Sequence, residues 1–196
     1  MATSGSRDFN IDVGEIIEEA YERCGLEVRT GYDARTARRS LNLMFADWAN
    51  RGINMWTVAQ GTITLTQGQA TQTLTADVVD VLEVVLRRSN TDFEVERISR
   101  GEYATLPNKT TQGRPSQFYF DRQILPVINL WAVPENSTDQ LVYYYVQRIE
   151  DADALVNTTD MPFRFYPCMV AGLAYYIAMK KAPERIQLLK SVYEEE

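Results

Sequence analysis

The chain has 196 residues, enough for one domain of ordinary size or two small ones. Its 20 basic and 27 acidic residues give a net charge of −7, which argues against a protein that grips nucleic acid through the phosphates. The sequence has no histidine and two cysteines, Cys24 and Cys168, which excludes Ser-His-Asp and Cys-His catalysis, histidine-ligated zinc and a disulfide framework.

Two helices are predicted in the first quarter of the chain. Asp12 and Glu15 have the spacing of a capping box, and the apolar residues after them recur at helical intervals. A second helix is predicted to begin near Asp33 and to end at Gly52, with an apolar face running from residue 37 to residue 48. Because the loop between them is short, the two helices are predicted to pack as an antiparallel hairpin.

From Met55 the apolar residues alternate with polar ones, which predicts short strands. The segment "DVLEVVLRRSNTDFEVERIS" is predicted to form two strands around a turn at "SNTD", with Leu82, Val84 and Leu86 on one face. Residues 102–117 are rich in turn-forming residues and are predicted to form an exposed loop.

Aromatic residues are concentrated in two of the predicted strands. In an extended strand Phe118 and Phe120 point to one face and Tyr119 to the other, and the tyrosines at 143–145 alternate in the same way. Such residues either fill a core or form a platform on which bases or sugars stack. A platform for single-stranded nucleic acid requires a basic groove beside it, and few cations flank these strands, so core or inter-subunit packing is favoured.

Helical spacing returns after Pro162. The segment "FRFYPCMVAGLAYYIAMKKA" carries few charges and is predicted to form a largely buried helix, and Pro183 begins a last, amphipathic helix. Helices from both chain ends require partners. We therefore predict an α+β fold in which an α-helical bundle (1–55 and 159–196) carries an inserted antiparallel β-domain (56–158).

Motifs for catalysis and for cofactor binding are missing from the sequence. It contains no Walker A, GxGxxG or GxSxG pattern, and Glu150, Asp151 and Asp153 lack the ligand spacing of a calcium loop. We expect no enzyme activity, cofactor or metal. No apolar run is long enough to cross a bilayer and the first residues lack the apolar core of a signal peptide, so we expect synthesis in a reducing cytoplasm and no membrane contact.

The densest basic face lies on the second predicted helix. It contains Arg35, Arg38 and Arg39 and is extended by Arg51. Such a face is either solvated or a docking surface for acidic partners, because guanidinium groups pair well with carboxylates across interfaces.

Two segments resemble the head-to-tail adaptor proteins of short-tailed bacteriophages, the tail tubular protein A type. The first, "IIEEAYERCGLE…ARRSLNLMFADWANRGINMWTV", contains the pattern ARRSLNxxxxxWxxRG. The second, "FRFYPCMVAGLAYYIAMKKAPERIQLLKSVYEEE", is a proline-led buried helix followed by an amphipathic one. The resemblance covers nearly the whole chain, although the β-domain is similar in layout only.

This resemblance implies a structural virion protein, made in the host bacterial cytoplasm, with no catalytic site. Such adaptors form a homo-oligomeric ring of about twelve copies beneath the portal protein. They join the capsid to the tail nozzle protein and line the channel for genome ejection. An acidic chain agrees with a channel through which double-stranded DNA passes without specific binding.

The resemblance also directs the choice of interface residues. We expect contacts with the portal or a neighbouring subunit through the arginines of the second helix and two cations of the last helix, and contacts with the nozzle or a neighbour through the 108–114 loop. The residues are Arg35, Arg38, Arg39, Arg51, Arg185 and Lys190 for the first surface, and Asn108, Lys109 and Arg114 for the loop.

Two alternatives stay open at the level of the sequence. One is a binding module in which Tyr119 and Tyr144 of the β-domain recognise a glycan or nucleic acid. The other is a tail-associated hydrolase that uses the carboxylates of residues 150–153.

Overall fold

A computed structural model describes residues 5, 9–53 and 55–196. The chain forms two compact units, one of Met1–Trp56 with Ile149–Glu196 and one of Thr57–Arg148. The helices are α1 (Val13–Arg23), α2 (Gly31–Asn50), α3 (Arg100–Thr105), α4 (Tyr166–Lys181) and α5 (Ile186–Glu195). The strands are β1 (Val58–Thr64), β2 (Thr71–Thr73), β3 (Val78–Arg88), β4 (Thr91–Glu94), β5 (Glu96–Arg97), β6 (Gln112–Gly113), β7 (Gln117–Asp121), β8 (Val127–Trp131), β9 (Val133–Pro134) and β10 (Gln140–Gln147).

The predicted α+β class is confirmed, with helices at both ends of the chain and the strands between them. The helical unit resumes at Ile149, earlier than the predicted boundary at residue 159. Ile149 and Ala152 are buried in the helical core. The carbonyls of Leu155 and Asn157 accept hydrogen bonds from the first turn of α1 at 2.8 and 3.0 Å, which satisfies amide groups that a helix leaves unpaired.

Reciprocal side-chain caps begin the first two helices. The Asp12 carboxylate accepts a hydrogen bond from the Glu15 amide at 2.8 Å. The Glu15 carboxylate accepts one from the Asp12 amide at 3.0 Å, which completes the predicted capping box. The second helix begins slightly earlier than predicted, because Thr30 is its cap and Asp33 is the reciprocating residue. Gly25 ends the first helix region with a φ of 69°, a conformation that favours glycine.

The predicted burial of the fourth helix is confirmed for residues 169–174, all of which are buried. At its middle, Gly172 allows the side chains of two other helices to approach. A Cβ atom at this position would lie 2.5 Å from Met44 Sδ of α2 and 2.8 Å from Tyr193 Cε2 of α5. The indole N–H of Trp48 donates to the Tyr193 hydroxyl at 2.7 Å. These contacts hold α2, α4 and α5 together.

The strands of the second unit form two four-stranded sheets, in the orders β1-β10-β3-β4 and β2-β8-β7-β5, and a short pair, β6-β9. The long ladders are antiparallel, and only the two-residue ladders β5-β7 and β6-β9 are parallel. Both four-stranded sheets contribute to one apolar core, in which Leu86 and Leu141 of the first pack with residues of the second such as Leu130.

The aromatic strands fill this core. Phe118 is 1% exposed and Phe120 is 5% exposed, whereas Tyr119 between them is half-buried. Tyr143 is 8% exposed and Tyr144, on the opposite face, is 40% exposed. The predicted alternation is therefore confirmed, and core packing accounts for most of this aromatic surface.

Two local predictions in the β-rich segment are wrong. Leu82 is 46% exposed while Val81 is fully buried, because the pairing with β10 shifts between Tyr144 and Tyr145. Leu82 is the extra residue of a bulge, so the buried face changes there from the odd position Val81 to the even positions Val84 and Leu86. The segment predicted as one exposed loop also overlaps the helix α3 and contains the short strand β6. That helix is capped reciprocally by Ser99 and Glu102, a Ser-x-x-Glu signal visible in the sequence.

Candidate interaction surface

One exposed surface on the helical unit combines apolar and basic side chains, and we call it the α2 patch: Tyr32, Arg35, Arg39, Leu43 and Lys180. Its first four members are spaced by three or four residues, so they share the solvent face of α2. Tyr32 is 67% exposed and Leu43 is 58% exposed. The amino group of Lys180 reaches this helix from α4 and donates to the Ser40 hydroxyl at 2.6 Å.

The cations of the α2 patch lack acidic partners within the described part of the chain. Arg35 and Arg39 make no ion pair or side-chain hydrogen bond there, and Lys180 bonds only to a neutral hydroxyl. Partial burial lowers the pKa of Lys180, and the positive charge of Arg39 lowers it further. Three cations without an acidic partner in the described chain thus lie on one face of a protein whose net charge is −7.

Arg38 was predicted to share a surface with Arg35 and Arg39, but it makes a contact within the chain. Its guanidinium donates to the main-chain carbonyl of Asp153. Beside it, the Asn42 side chain accepts from the Ala152 amide at 2.8 Å and donates to the Ala152 carbonyl at 3.4 Å. Arg38 and Asn42 thus fasten the 151–155 segment to α2, and Arg38 does not belong to the α2 patch.

The other predicted interface cations of the helical unit also make intramolecular contacts. Arg51 lies 2.8 Å from the Asp47 carboxylate in an exposed pair. Arg185 donates to the Arg23 carbonyl at 3.2 Å, at the C-terminal end of α1 where cations are favoured. Lys190 lies 3.6 Å from a carboxylate one turn later in α5.

The three loop residues predicted to contact the nozzle or a neighbour also make contacts within the chain. The carbonyl of Asn108 accepts from the indole N–H of Trp131 at 2.9 Å. The amino group of Lys109 donates to two carbonyls at the end of α3, at 3.0 and 3.4 Å. The guanidinium of Arg114 lies 4.3 Å from the centre of the Phe93 ring, within cation–π distance.

Two exposed apolar features were not recognised in the sequence. Ile124 and Leu125, in the turn between β7 and β8, are 92% and 54% exposed. In the helical unit, the stacked rings of Phe9 and Phe163, 5.3 Å apart, line an open groove of about 680 Å³.

Asp160 bonds to the acidic segment 150–153 of the hydrolase alternative and is itself partly buried. Burial raises the pKa of Asp160, and the charge of Glu150 adds to this. However, the Asp160 Oδ1 atom is buried and unpartnered among the described residues, while Oδ2 accepts from the Glu150 amide at 3.2 Å, so the free oxygen is inaccessible to a substrate. Within residues 5, 9–53 and 55–196, no group of three or more histidine, cysteine or acidic side chains is placed to hold a metal.

The described helices include none that is both long and apolar enough to span a membrane.

No curated protein matches the chain. A family model described as SU10 adaptor protein matches residues 11–195, which include residues of both units. The resemblance to phage adaptors seen in the sequence is confirmed at this level. The chain belongs to the SU10 adaptor protein family, and it is a phage adaptor-type structural protein of the virion.

Proposed function

We propose that this adaptor is a subunit of a homo-oligomeric ring that joins the portal protein to the tail nozzle protein of a short-tailed phage, as in the tail tubular protein A type. The ring has about twelve copies and lines the channel for genome ejection. The observation that carries this proposal is the α2 patch, because its cations lack partners within the described chain and its apolar residues are exposed.

The composition of the α2 patch fits a protein interface. Arginine and tyrosine are enriched at the centres of interfaces, where they combine a large contact area with directional hydrogen bonds. The patch also lies on a rigid support, since α2 is capped at its start and buries Leu41, Met44 and Trp48 in the helical core. A surface on a rigid helix loses little conformational entropy when it binds.

The charge of the patch indicates the chemistry of its partner. Arg35, Arg39 and Lys180 are free to pair with carboxylates, so the partner surface, on the portal or on a neighbouring copy, is acidic. Elsewhere the chain has an excess of acids, with a net charge of −7 overall. This excess supports a channel wall that does not retain double-stranded DNA, because DNA affinity depends on neutralising phosphates with lysine and arginine.

The remaining predicted contacts are secondary candidates in this proposal. Arg38, Arg51 and Arg185 make internal contacts, so their replacement would disturb the subunit as well as an interface. On the β-unit, the exposed Ile124 and Leu125 are better placed than the 108–114 loop to contact the nozzle or a neighbour, because their apolar surface is free.

Charge reversal tests the role of the α2 patch. We expect Arg35→Glu and Arg39→Glu to weaken co-sedimentation of the adaptor with purified portal rings, and raised salt to weaken it for the wild type by screening. Arg100→Glu, at an exposed position of α3 in the β-unit, is the matched control and should bind like the wild type. Unchanged assembly of the double variant Arg35→Glu/Arg39→Glu would refute the role of the patch.

A further inference from the structure

The strand β1 forms an unprotected edge of the first sheet. It lies at one end of the order β1-β10-β3-β4 and comprises seven residues, Val58–Thr64, without a charge or a proline. Natural edge strands are usually short, charged or interrupted, because their free amide and carbonyl groups invite pairing with another chain. A long uncharged edge is therefore a site for strand addition.

The backbone groups on the free side of β1 can be identified from the register. The Leu65 amide donates to the Asp139 carbonyl at 2.9 Å, and Thr64 lies opposite Gln140, so Leu65 and Asp139 are directly opposed. In an antiparallel ladder hydrogen-bonded pairs alternate with non-bonded ones. The amides and carbonyls of Val58, Gln60, Thr62 and Thr64 therefore point away from β10, and no group in the described part of the chain bonds to them.

The other edges of the four-stranded sheets are shorter than β1. The outer strands of the second sheet, β2 and β5, have three and two residues. At the far edge of the first sheet, β4 has four residues and carries Asp92 and Glu94, which disfavours pairing with a copy of itself. Among the described strands, β1 is the long uncharged edge.

Strand direction identifies β4 of another copy as the complementary edge. Each strand of the first sheet runs antiparallel to its neighbour, so β1 and β3 point one way and β10 and β4 the other. The two edge strands, β1 and β4, therefore run in opposite directions. When a second copy lies beside the first in the same orientation, its β1 is antiparallel to β4 of the first copy. Asp92 is paired with Arg87 of β3, but pairing of β4 with β4 would bring the carboxylate of Glu94 close to its own copy, which is unfavourable.

We propose that β1 of one copy pairs with β4 of the next, so that the first sheet continues from subunit to subunit. The inference rests on the proposed ring and specifies one of its contacts between neighbours. Head-to-tail pairing of two different edges is heterologous, the type of contact that closes a ring. Self-pairing of two β1 strands about a two-fold axis would give a dimer instead.

Hydrogen exchange measured by mass spectrometry tests this contact on the full chain, alone and assembled on purified portal rings. We expect peptides covering residues 58–64 and 91–94 to exchange at least about tenfold more slowly in the ring than in the free subunit. Rings whose 58–64 peptides exchange at the rate of the free subunit would overturn the strand pairing and leave the ring proposal standing. A chain that forms no ring with the portal would overturn both.

Substitution of Thr62 provides a second test. Thr62→Pro removes an outward-facing amide that makes no bond to β10, and edge strands accept proline at such positions. We expect this variant to keep the circular dichroism spectrum of the wild type and to lose ring assembly, while the matched variant Thr62→Val keeps both. A Thr62→Pro chain that folds and assembles like Thr62→Val would overturn the proposal.

A cysteine at the same position separates head-to-tail from two-fold pairing. The wild type already has two cysteines, the buried Cys24 and the partly buried Cys168, and serves as the baseline. Under oxidation, Thr62→Cys should give no more disulfide-linked dimer than this baseline. Efficient dimer formation through Cys at position 62 would show that two β1 strands meet, and would overturn the pairing of β1 with β4.

Discussion

Replacement of Gly172 by alanine tests whether close packing on α4 fixes the position of α5. The added Cβ would lie 2.5 Å from Met44 Sδ and 2.8 Å from Tyr193 Cε2, well inside the usual contact distance of about 3.5–4.0 Å. The Met44 side chain is flexible and can move. The Tyr193 ring is held by the hydrogen bond from Trp48 at 2.7 Å, so this contact is the costly one.

The expected effect is the balance of two terms. Overpacking a core by one methyl group costs about 1–3 kcal/mol. Alanine is better than glycine in a helix interior by about 1 kcal/mol. The steric term is the larger, so we expect Gly172→Ala to lower the free energy of unfolding by about 1 kcal/mol, with about 2 kcal/mol as the upper end of the range.

Chemical denaturation followed by circular dichroism measures this difference. Gly31→Ala is the matched control, since it is also a helical glycine but has nothing within 4 Å of its added Cβ, and it should be neutral or slightly stabilising. In a Tyr193→Ala background the penalty for Gly172→Ala should shrink, because the fixed ring is gone. A Gly172→Ala chain as stable as Gly31→Ala, without coupling to Tyr193, would refute this explanation.

Four further substitutions test the β-core, a half-buried ion pair and a buried carboxyl. Phe118→Ala should lower the free energy of unfolding by about 3–5 kcal/mol in denaturant titrations. Tyr144→Ala, at a residue that is 40% exposed, should lower it by less than about 1 kcal/mol. Equal losses would contradict the core interpretation. Arg88 donates to the buried Asp139 carboxylate at 2.7 Å, so Arg88→Ala should cost about 3 kcal/mol in the same assay, and a neutral result would show that solvent replaces the guanidinium. Burial raises the pKa of Asp160 above its unfolded value of 3.8, so the folded state binds the proton more tightly and the wild type loses stability as pH rises through that window. Asp160→Asn should therefore raise Tm at pH 7, with a gain that disappears below about pH 3.8; a gain independent of pH would contradict the assignment.

The parts of the fold that depend on local sequence were predictable. The capping box of Asp12 and Glu15 needs only residues three apart, and it appears as expected. The turn at Ser89 and Asn90 has positive φ at both residues, 50° and 66°, as a two-residue hairpin loop requires. The alternation at Phe118 follows from the geometry of a strand alone.

The features that were missed depend on partners distant in the sequence. The exposure of Leu82 results from a register shift against β10, which the sequence of β3 does not encode. The boundary at Ile149 depends on carbonyls that meet the first turn of α1, far away in the chain.

The same reasoning applies to the candidate interaction surface. Arg35 and Arg39 were identified because basic residues at helical spacing share a face, and both are exposed without partners in the described chain. Arg38 was grouped with them, but the 151–155 segment occupies its guanidinium. The contribution of Lys180 required the packing of α4 against α2, which a single sequence does not give.

The mass of the wild-type protein, measured alone and after mixing with purified portal rings, tests the central claim most directly. A structural adaptor that acts through its surfaces should form one discrete complex that carries many copies of the chain on each portal ring. A chain that stays single in the presence of the portal, at concentrations where both are soluble and folded, would contradict the account.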